Sequence, residues 1–297
     1  MVKRTLSFSR PCSLSLKNCQ MVIKMKDDPD FIRTVPVEDI GFVLLENQQI
    51  SITMPLLNAL ADNNAAVIVC TDKMMPNAML LNLDSNSVQG ERYRDQINAS
   101  EPLKKNLWKQ TVEAKIRNQA ALLDKLDKDG NRLKPYWQNV KSGDADNREG
   151  VAAKIYWDAL FGDDFMRYRT GASPNEMLNY GYTVLRAAVA RSLMGSGLFP
   201  AFGIYHRNRY NAFPLADDIM EPYRPFVDEL VYNIVAKGEN YSILNKEIKS
   251  QLLTIPTLDV VIAGKRSPLM IAVGQSTASL YKCFSGELRK ISYPEIE

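Results

Sequence analysis

Short apolar runs separated by polar breaks fill the first part of this chain, at the two-residue period of strands, whereas beyond residue 103 the apolar positions recur at helical intervals. The stretch LSLKNCQMVIKM (residues 14–25) alternates like a hairpin, two strands around the turn Lys17-Asn18-Cys19-Gln20. Residues 40–45 and 66–70 are apolar runs of buried-strand length. Between them TMPLLNALADNN begins like a helix, with Thr53 in the capping position and Pro55 in the first turn, and stops at Asn63-Asn64. Residues 1–84 therefore predict a small β-rich domain with one helix. The polar stretch after it contains Gly90 and has no apolar period, so residues 85–102 predict a linker. In residues 103–297 the positions Leu103, Leu107, Ile116, Leu122 and Leu126 mark a helix running towards the stop at Asp129-Gly130, and Val151, Ile155, Leu160 and Phe161 mark another. Further helices are predicted over 175–193, 216–235, 246–253 and 269–284. The expected fold class is α+β: a small N-terminal β-rich domain followed by a larger, mostly α-helical one.

A chain of 297 residues exceeds what one hydrophobic core usually serves, which agrees with two domains. The net charge of +3 is too small to indicate a partner, but six basic residues, Lys3, Arg4, Arg10, Lys17, Lys24 and Lys26, precede the first acidic one, Asp27. That pattern suits a DNA-facing edge or a solvated strand face. No apolar run approaches the ~18 residues of a membrane span, and no signal-peptide core opens the chain, so a cytoplasmic protein without a membrane partner is expected. Cys12, Cys19, Cys70 and Cys283 form no Cys-x-x-Cys pair, which leaves neither a zinc ribbon nor a redox motif; Cys70 closes an apolar run and reads as core.

The chain has one histidine, His206, and this narrows the chemistry. Three-histidine zinc sites, the two-histidine iron triad and the His-Glu-x-x-His helix each need more than one. There is no Gly-x-Ser-x-Gly elbow, and Gly264-Lys265-Arg266-Ser267 lacks the upstream glycine of a phosphate-binding loop. What remains is a hard-cation site built mainly of carboxylates. Asp218 and Glu221 are three residues apart and share a helix face, which Pro222 and Pro225 should bend or loosen. Glu149 lies in Asn147-Arg148-Glu149-Gly150 on another helix. Each has a structural alternative: Asp146 and Glu149 have capping-box spacing, Asp217 and Asp218 suit the first turn of a helix dipole, and a lone histidine is often structural. Tyr205, Tyr210 and Phe213 read as packing groups. Taken singly, these residues do not identify a site.

Three longer motifs, DNREGVAAKIYWDALFG, NEMLNYGYTVLRAAVARSLM and GIYHRNRYNAFPLADDIMEPYRPFVD, together with the earlier CTDKMMPNAML, closely resemble the CRISPR-associated integrase and endonuclease of spacer acquisition, the Cas-one family, in the branch of type II systems. The likeness covers nearly the whole chain. It implies a metal-dependent DNA integrase and nuclease that inserts spacer DNA into a CRISPR array through attack of a DNA 3′-hydroxyl. By motif match, Glu149, His206 and Glu221 would hold Mg²⁺ or Mn²⁺; many relatives carry aspartate at the third place. Asp218 would stand beside the ligands or serve a second ion, and Arg148, Arg207 and Arg209 would contact DNA phosphates. The resemblance also implies double-stranded DNA as partner (spacer precursor and repeat array), a homodimer formed through the β-rich domain, and a small protein of the Cas-two family. Two other functions fit less of this: a hydrolytic branched-DNA nuclease of repair, and a DNA-binding scaffold without catalysis.

Overall fold

The computed structural model describes residues 3–168, 171–238 and 241–297 of the chain. It divides into two compact units, Met1–Ser87 and Val88–Glu297.

The first unit contains β1 (Arg4–Phe8), β2 (Cys12–Lys17), β3 (Gln20–Met25), β4 (Ile32–Pro36), β5 (Ile40–Leu45), β6 (Ser51–Ile52), α1 (Met54–Asp62), β7 (Ala66–Cys70) and β8 (Pro76–Leu80). They form two four-stranded sheets, in the orders β1-β5-β7-β8 and β4-β3-β2-β6. Strand β5 pairs in parallel with β1 and β7 and is buried at all six positions, which explains why its sequence is a continuous apolar run. The β2-β3 hairpin closes through Asn18 and Cys19, both with positive φ, the two-residue turn whose twist matches its strands. Leu14 and Met21 of this hairpin, Val43 and Val67 of the other sheet, and Leu56 and Leu60 of α1 share one core. Thr53 precedes α1 as expected, but its side chain makes no capping bond. Several of the early basic residues are engaged within this unit: Arg10 pairs with Asp27 at 2.6 Å, and Lys26 donates to the carbonyl of Gln49 at 2.6 Å.

The second unit contains α2 (Gln89–Asn98), α3 (Glu101–Lys125), α4 (Lys134–Gln138), α5 (Arg148–Phe161), α6 (Asn175–Gly195), α7 (Pro214–Met220), α8 (Arg224–Ala236), α9 (Lys246–Leu252), β9 (Asp259–Ile262), β10 (Lys265–Pro268), α10 (Leu269–Phe284) and β11 (Pro294–Glu295). α3 packs against α5, α8 and the turn that follows α7, and α6 packs against α7, α8 and α10.

Three expectations are corrected here. Residues 85–102, expected as a linker, hold α2, which is anchored by polar groups rather than by an apolar stripe: Gln96 is buried and bonds the carbonyls of Phe199 and Phe202 and the N–H of Phe199, while Arg92 donates to the carbonyl of Ser196. The helix expected over 216–235 is two helices separated by a 3₁₀ turn, Glu221–Tyr223, because Pro222 and Pro225 cannot donate into a continuous ladder. The helical unit also carries a small sheet, β10-β9-β11, whose β9-β10 hairpin turns on Ala263 and Gly264 with φ of 50° and 72°.

Candidate metal and DNA site

Three elements of the second unit converge on one ammonium group. Lys115 lies in the buried stripe of α3, one turn after Thr111 and beside Ile116 and Asn118. Its Nζ donates to Oε1 of Glu149 at 2.6 Å and lies 2.5 Å from Oε2 of Glu221.

Glu149 comes from the first turn of α5. That turn is fixed by Asn147, left-handed at φ 51°, whose side chain accepts from the N–H of Gly150, and by Asp144, which accepts from the N–H groups of Arg148 and Glu149 at 2.8 and 3.1 Å. Asp146 does not form the expected capping box; it pairs with Lys141 at 2.8 Å. Glu221 comes from the 3₁₀ turn after α7, and its Oε1 lies 2.9 Å from Nε of Arg224. Burial opposes ionisation of Glu221, but the charges of Arg224 and Lys115 outweigh it and lower its pKa to about 2. Burial likewise opposes the charge on Lys115, and Glu149 and Glu221 outweigh it, so the lysine pKa is raised.

Asp218, one helical turn before Glu221, is fully buried and organises the loop that carries the histidine. Its Oδ2 accepts from the N–H groups of Ile204 and Tyr205 at 2.7 and 3.0 Å, and its Oδ1 accepts from the N–H of His206 at 3.2 Å and faces Nδ1 of the ring at 2.6 Å. A Cβ on Gly203 would stand 2.6 Å from the carbonyl oxygen of His206 and 2.8 Å from Oδ2 of Asp218, so this approach requires glycine. With Nδ1 turned to the carboxylate, Nε2 is the nitrogen left to accept a bond. The hydrogen bond to Asp218 raises the His206 pKa, burial opposes the rise, and the charges of Asp218, Glu221 and Glu149 add to it. Trp108 of α3 stacks on Tyr205 at 4.1 Å with the planes 2° apart, and the His206 ring stands edge-on to both. Tyr205 thus packs as expected, whereas Tyr210 is 80% exposed and does not.

Asp217 is committed elsewhere, to Arg186 at 2.6 and 2.8 Å and to Asn211 at 2.7 Å, and does not hold Arg207 or Arg209. Arg207 pairs with Glu101 at 2.6 Å, both side chains being exposed, and Arg209 lies 4.6 Å above the ring of Tyr210. Together with Lys104, these arginines and His206 line a cavity of about 420 Å³. Arg148 reaches Asp146 only at 3.7 Å, and its Nε is buried without a hydrogen-bond partner. Arg224 is committed to the carboxylate of Glu221.

These residues fit a hard divalent cation. Glu149 and Glu221 already direct one oxygen each at a single positive centre, Oε2 of Glu221 is buried without an aligned hydrogen-bond donor, and the charges of both carboxylates act on the His206 ring, whose neutral form would be the ligand. Among the described residues no three His, Cys, Asp or Glu side chains form a closed ligand group by themselves; the carboxylates meet around an ammonium instead. Sequence reasoning missed Lys115, Trp108 and Asp144. The signal for Lys115 was available, as a lysine set inside an apolar helical stripe between Trp108, Val112, Ile116 and Gln119.

No described helix is long and apolar enough to cross a membrane. The family model of the CRISPR associated protein Cas1 matches residues 7–254. A CRISPR-associated endonuclease Cas1 of Neisseria meningitidis serogroup C (strain 8013) is 36% identical over 299 aligned positions, covering 100% of this chain and 97% of the relative. Among solved structures, a casposase bound to integration product superposes with a TM-score of 0.81 at 21% identity, over 98% of this chain and 92% of the other. A Cas6-RT-Cas1–Cas2 complex superposes with a TM-score of 0.72 at 18% identity, over 97% of this chain and 35% of the longer one. The α+β architecture and the full-length likeness agree, and the chain belongs to the Cas1 family of CRISPR-associated proteins.

Proposed function

We propose that this protein is a metal-dependent DNA integrase and endonuclease that inserts new spacer DNA into a CRISPR array. The observation that carries this reading is the convergence of Glu149 and Glu221 on one cationic centre beside a histidine whose Nδ1 is held by Asp218. Glu149, Glu221 and Nε2 of His206 would hold Mg²⁺ or Mn²⁺. Such an ion, when bound, polarises the scissile phosphate and orients the attacking oxygen.

The chain's own residues do the rest. Asp218 fixes the tautomer and angle of His206, and Trp108 with Tyr205 limits rotation of its ring. Arg207 and Arg209 would draw the DNA backbone towards His206; an exposed pair such as Arg207–Glu101 is worth roughly 0–1 kcal/mol and exchanges readily for phosphate. Arg148, whose side chain is 34% exposed next to Glu149 in the chain, would do the same. In the reaction, the 3′-hydroxyl oxygen of the incoming DNA forms a bond to phosphorus as the target's own P–O3′ bond breaks. One phosphodiester replaces another, so no nucleotide hydrolysis is required.

Two structural relatives support the partners: the casposase bound to integration product supports DNA, and the Cas6-RT-Cas1–Cas2 complex supports a Cas2 partner. A homodimer through the β-rich unit belongs to the same reading. The test is a strand-transfer assay with purified protein, its Cas2 partner, a supercoiled plasmid carrying the repeat array, and short duplexes with free or blocked 3′ ends. Joining that requires metal and stops with blocked ends is expected. Nicking that ignores the 3′ ends would instead identify a hydrolytic nuclease using the same site, and binding without chemistry would identify a scaffold.

A further inference from the structure

Lys115 takes no part in the mechanism above, yet it occupies the electrostatic centre of the site. Its Nζ lies 2.6 Å from Glu149 and 2.5 Å from Glu221, and its side chain is only 11% exposed. The contact to Oε2 of Glu221 is a close ion pair, so this oxygen and Oε1 of Glu149 face one cationic centre. A hard divalent ion bound by these carboxylates would stand about 2.0–2.6 Å from the same two oxygens. An ammonium and a divalent cation cannot both occupy that space.

We propose that Lys115 is a resident counter-ion of the metal-free protein, displaced when a divalent cation enters, so that it sets metal affinity by competition. The inference rests on the metal-site reading. Lysine suits this role because its ammonium is a compact point charge on a flexible stem, whereas an arginine fork would hold the two carboxylates with several fixed donors. There is room for the swing: Lys115 lines a cavity of about 260 Å³ whose wall also holds Asp228 and Tyr182, together with Arg167 and Arg224. Without Lys115, Glu221 would keep Arg224 as its counter-ion, but no ammonium would stand between it and the partly buried Glu149 whenever metal is scarce.

The test is Mn²⁺ binding to the full-length, EDTA-treated protein, read as loss of the free-ion paramagnetic resonance signal, with melting curves in EDTA and in Mn²⁺. Lys115→Met should bind Mn²⁺ about tenfold more tightly or better, since it removes a like charge a few ångströms from the ion. It should also melt below the wild type in EDTA and gain more from Mn²⁺ than the wild type does. Equal or weaker Mn²⁺ binding by folded Lys115→Met would overturn the proposal. Should that variant fail to fold without metal, Lys115→Arg decides: it should bind Mn²⁺ more weakly than the wild type, and unchanged affinity would sink the idea. Failure of the metal-site reading looks different: the wild type then binds no Mn²⁺, or Glu149→Gln binds it just as well.

Discussion

Oδ1 of Asp218 lies 2.6 Å from Nδ1 of His206 while the same buried carboxylate takes the N–H groups of residues 204, 205 and 206. One side chain therefore sets both the position of the loop and the basicity of the imidazole. The His206 pKa is raised from its usual 6.5, first by this bond. A doubly protonated ring cannot bind metal, so Mn²⁺ affinity should rise with pH through a midpoint above 6.5. The stabilising contribution of the charged ring runs the other way: it is complete below 6.5 and is lost as pH rises through the folded-state value. Asp218→Asn should shift the binding midpoint to lower pH and reduce affinity at high pH by roughly 10- to 100-fold, because the ring loses its orienting partner. Mn²⁺ titrations at several pH values check this; an unmoved midpoint would contradict the assignment.

Gly203→Ala tests the loop without touching a charge. The added Cβ meets the carbonyl of His206 and Oδ2 of Asp218 at under 3 Å, the first a backbone atom and the second pinned by the N–H groups of Ile204 and Tyr205. The histidine must therefore shift, and strand transfer should fall roughly 10- to 100-fold, as expected for a misplacement of about 1 Å. Circular dichroism should show the fold retained, and activity close to the wild type would show that the loop tolerates the shift.

Asp228 gives a separate handle on stability. Burial pushes its pKa up to about 6, although the hydroxyls of Tyr182 and Tyr156, at 2.5 and 2.8 Å, pull it back. A raised folded-state value means that the contribution of this group is full below the unfolded value near 3.8 and declines as pH rises towards 6. Asp228→Asn cannot titrate. Its melting temperature relative to the wild type should therefore climb between about pH 4 and pH 6 and then level off, by the equivalent of roughly 3 kcal/mol. A difference that stays flat across this range would show that Asp228 is ionised throughout.

Much of this fold was legible because its signals are local. The hairpin of β2 and β3, the buried run of β5 and helix α10 follow from period, turn residues and length. α2 was not legible, since Gln96 and Arg92 anchor it through bonds to carbonyls about a hundred residues away, and such partners leave no periodic trace. The β9-β10 hairpin was missed although Ala263-Gly264 marks its turn, because four-residue strands barely register against a helical background. At the site, the residue types of Glu149, His206 and Glu221 were readable only through family motifs. Asp146, by its spacing, looked like the capping partner of Glu149, a task that Asn147 and Asp144 perform instead. Lys115 was overlooked because the helix was read for its apolar positions, whereas its meaning lies in the two acids that other segments bring to it.

The most direct test of the central claim compares the wild type with Glu149→Gln and Glu221→Gln in Mn²⁺-dependent joining or nicking of DNA, with melting temperatures measured alongside. If these carboxylates hold the ion, both variants remain folded and lose activity by at least about a hundredfold, the loss expected when transition-state charge is no longer stabilised. Folded variants that process DNA at the wild-type rate would show that the chemistry lies elsewhere.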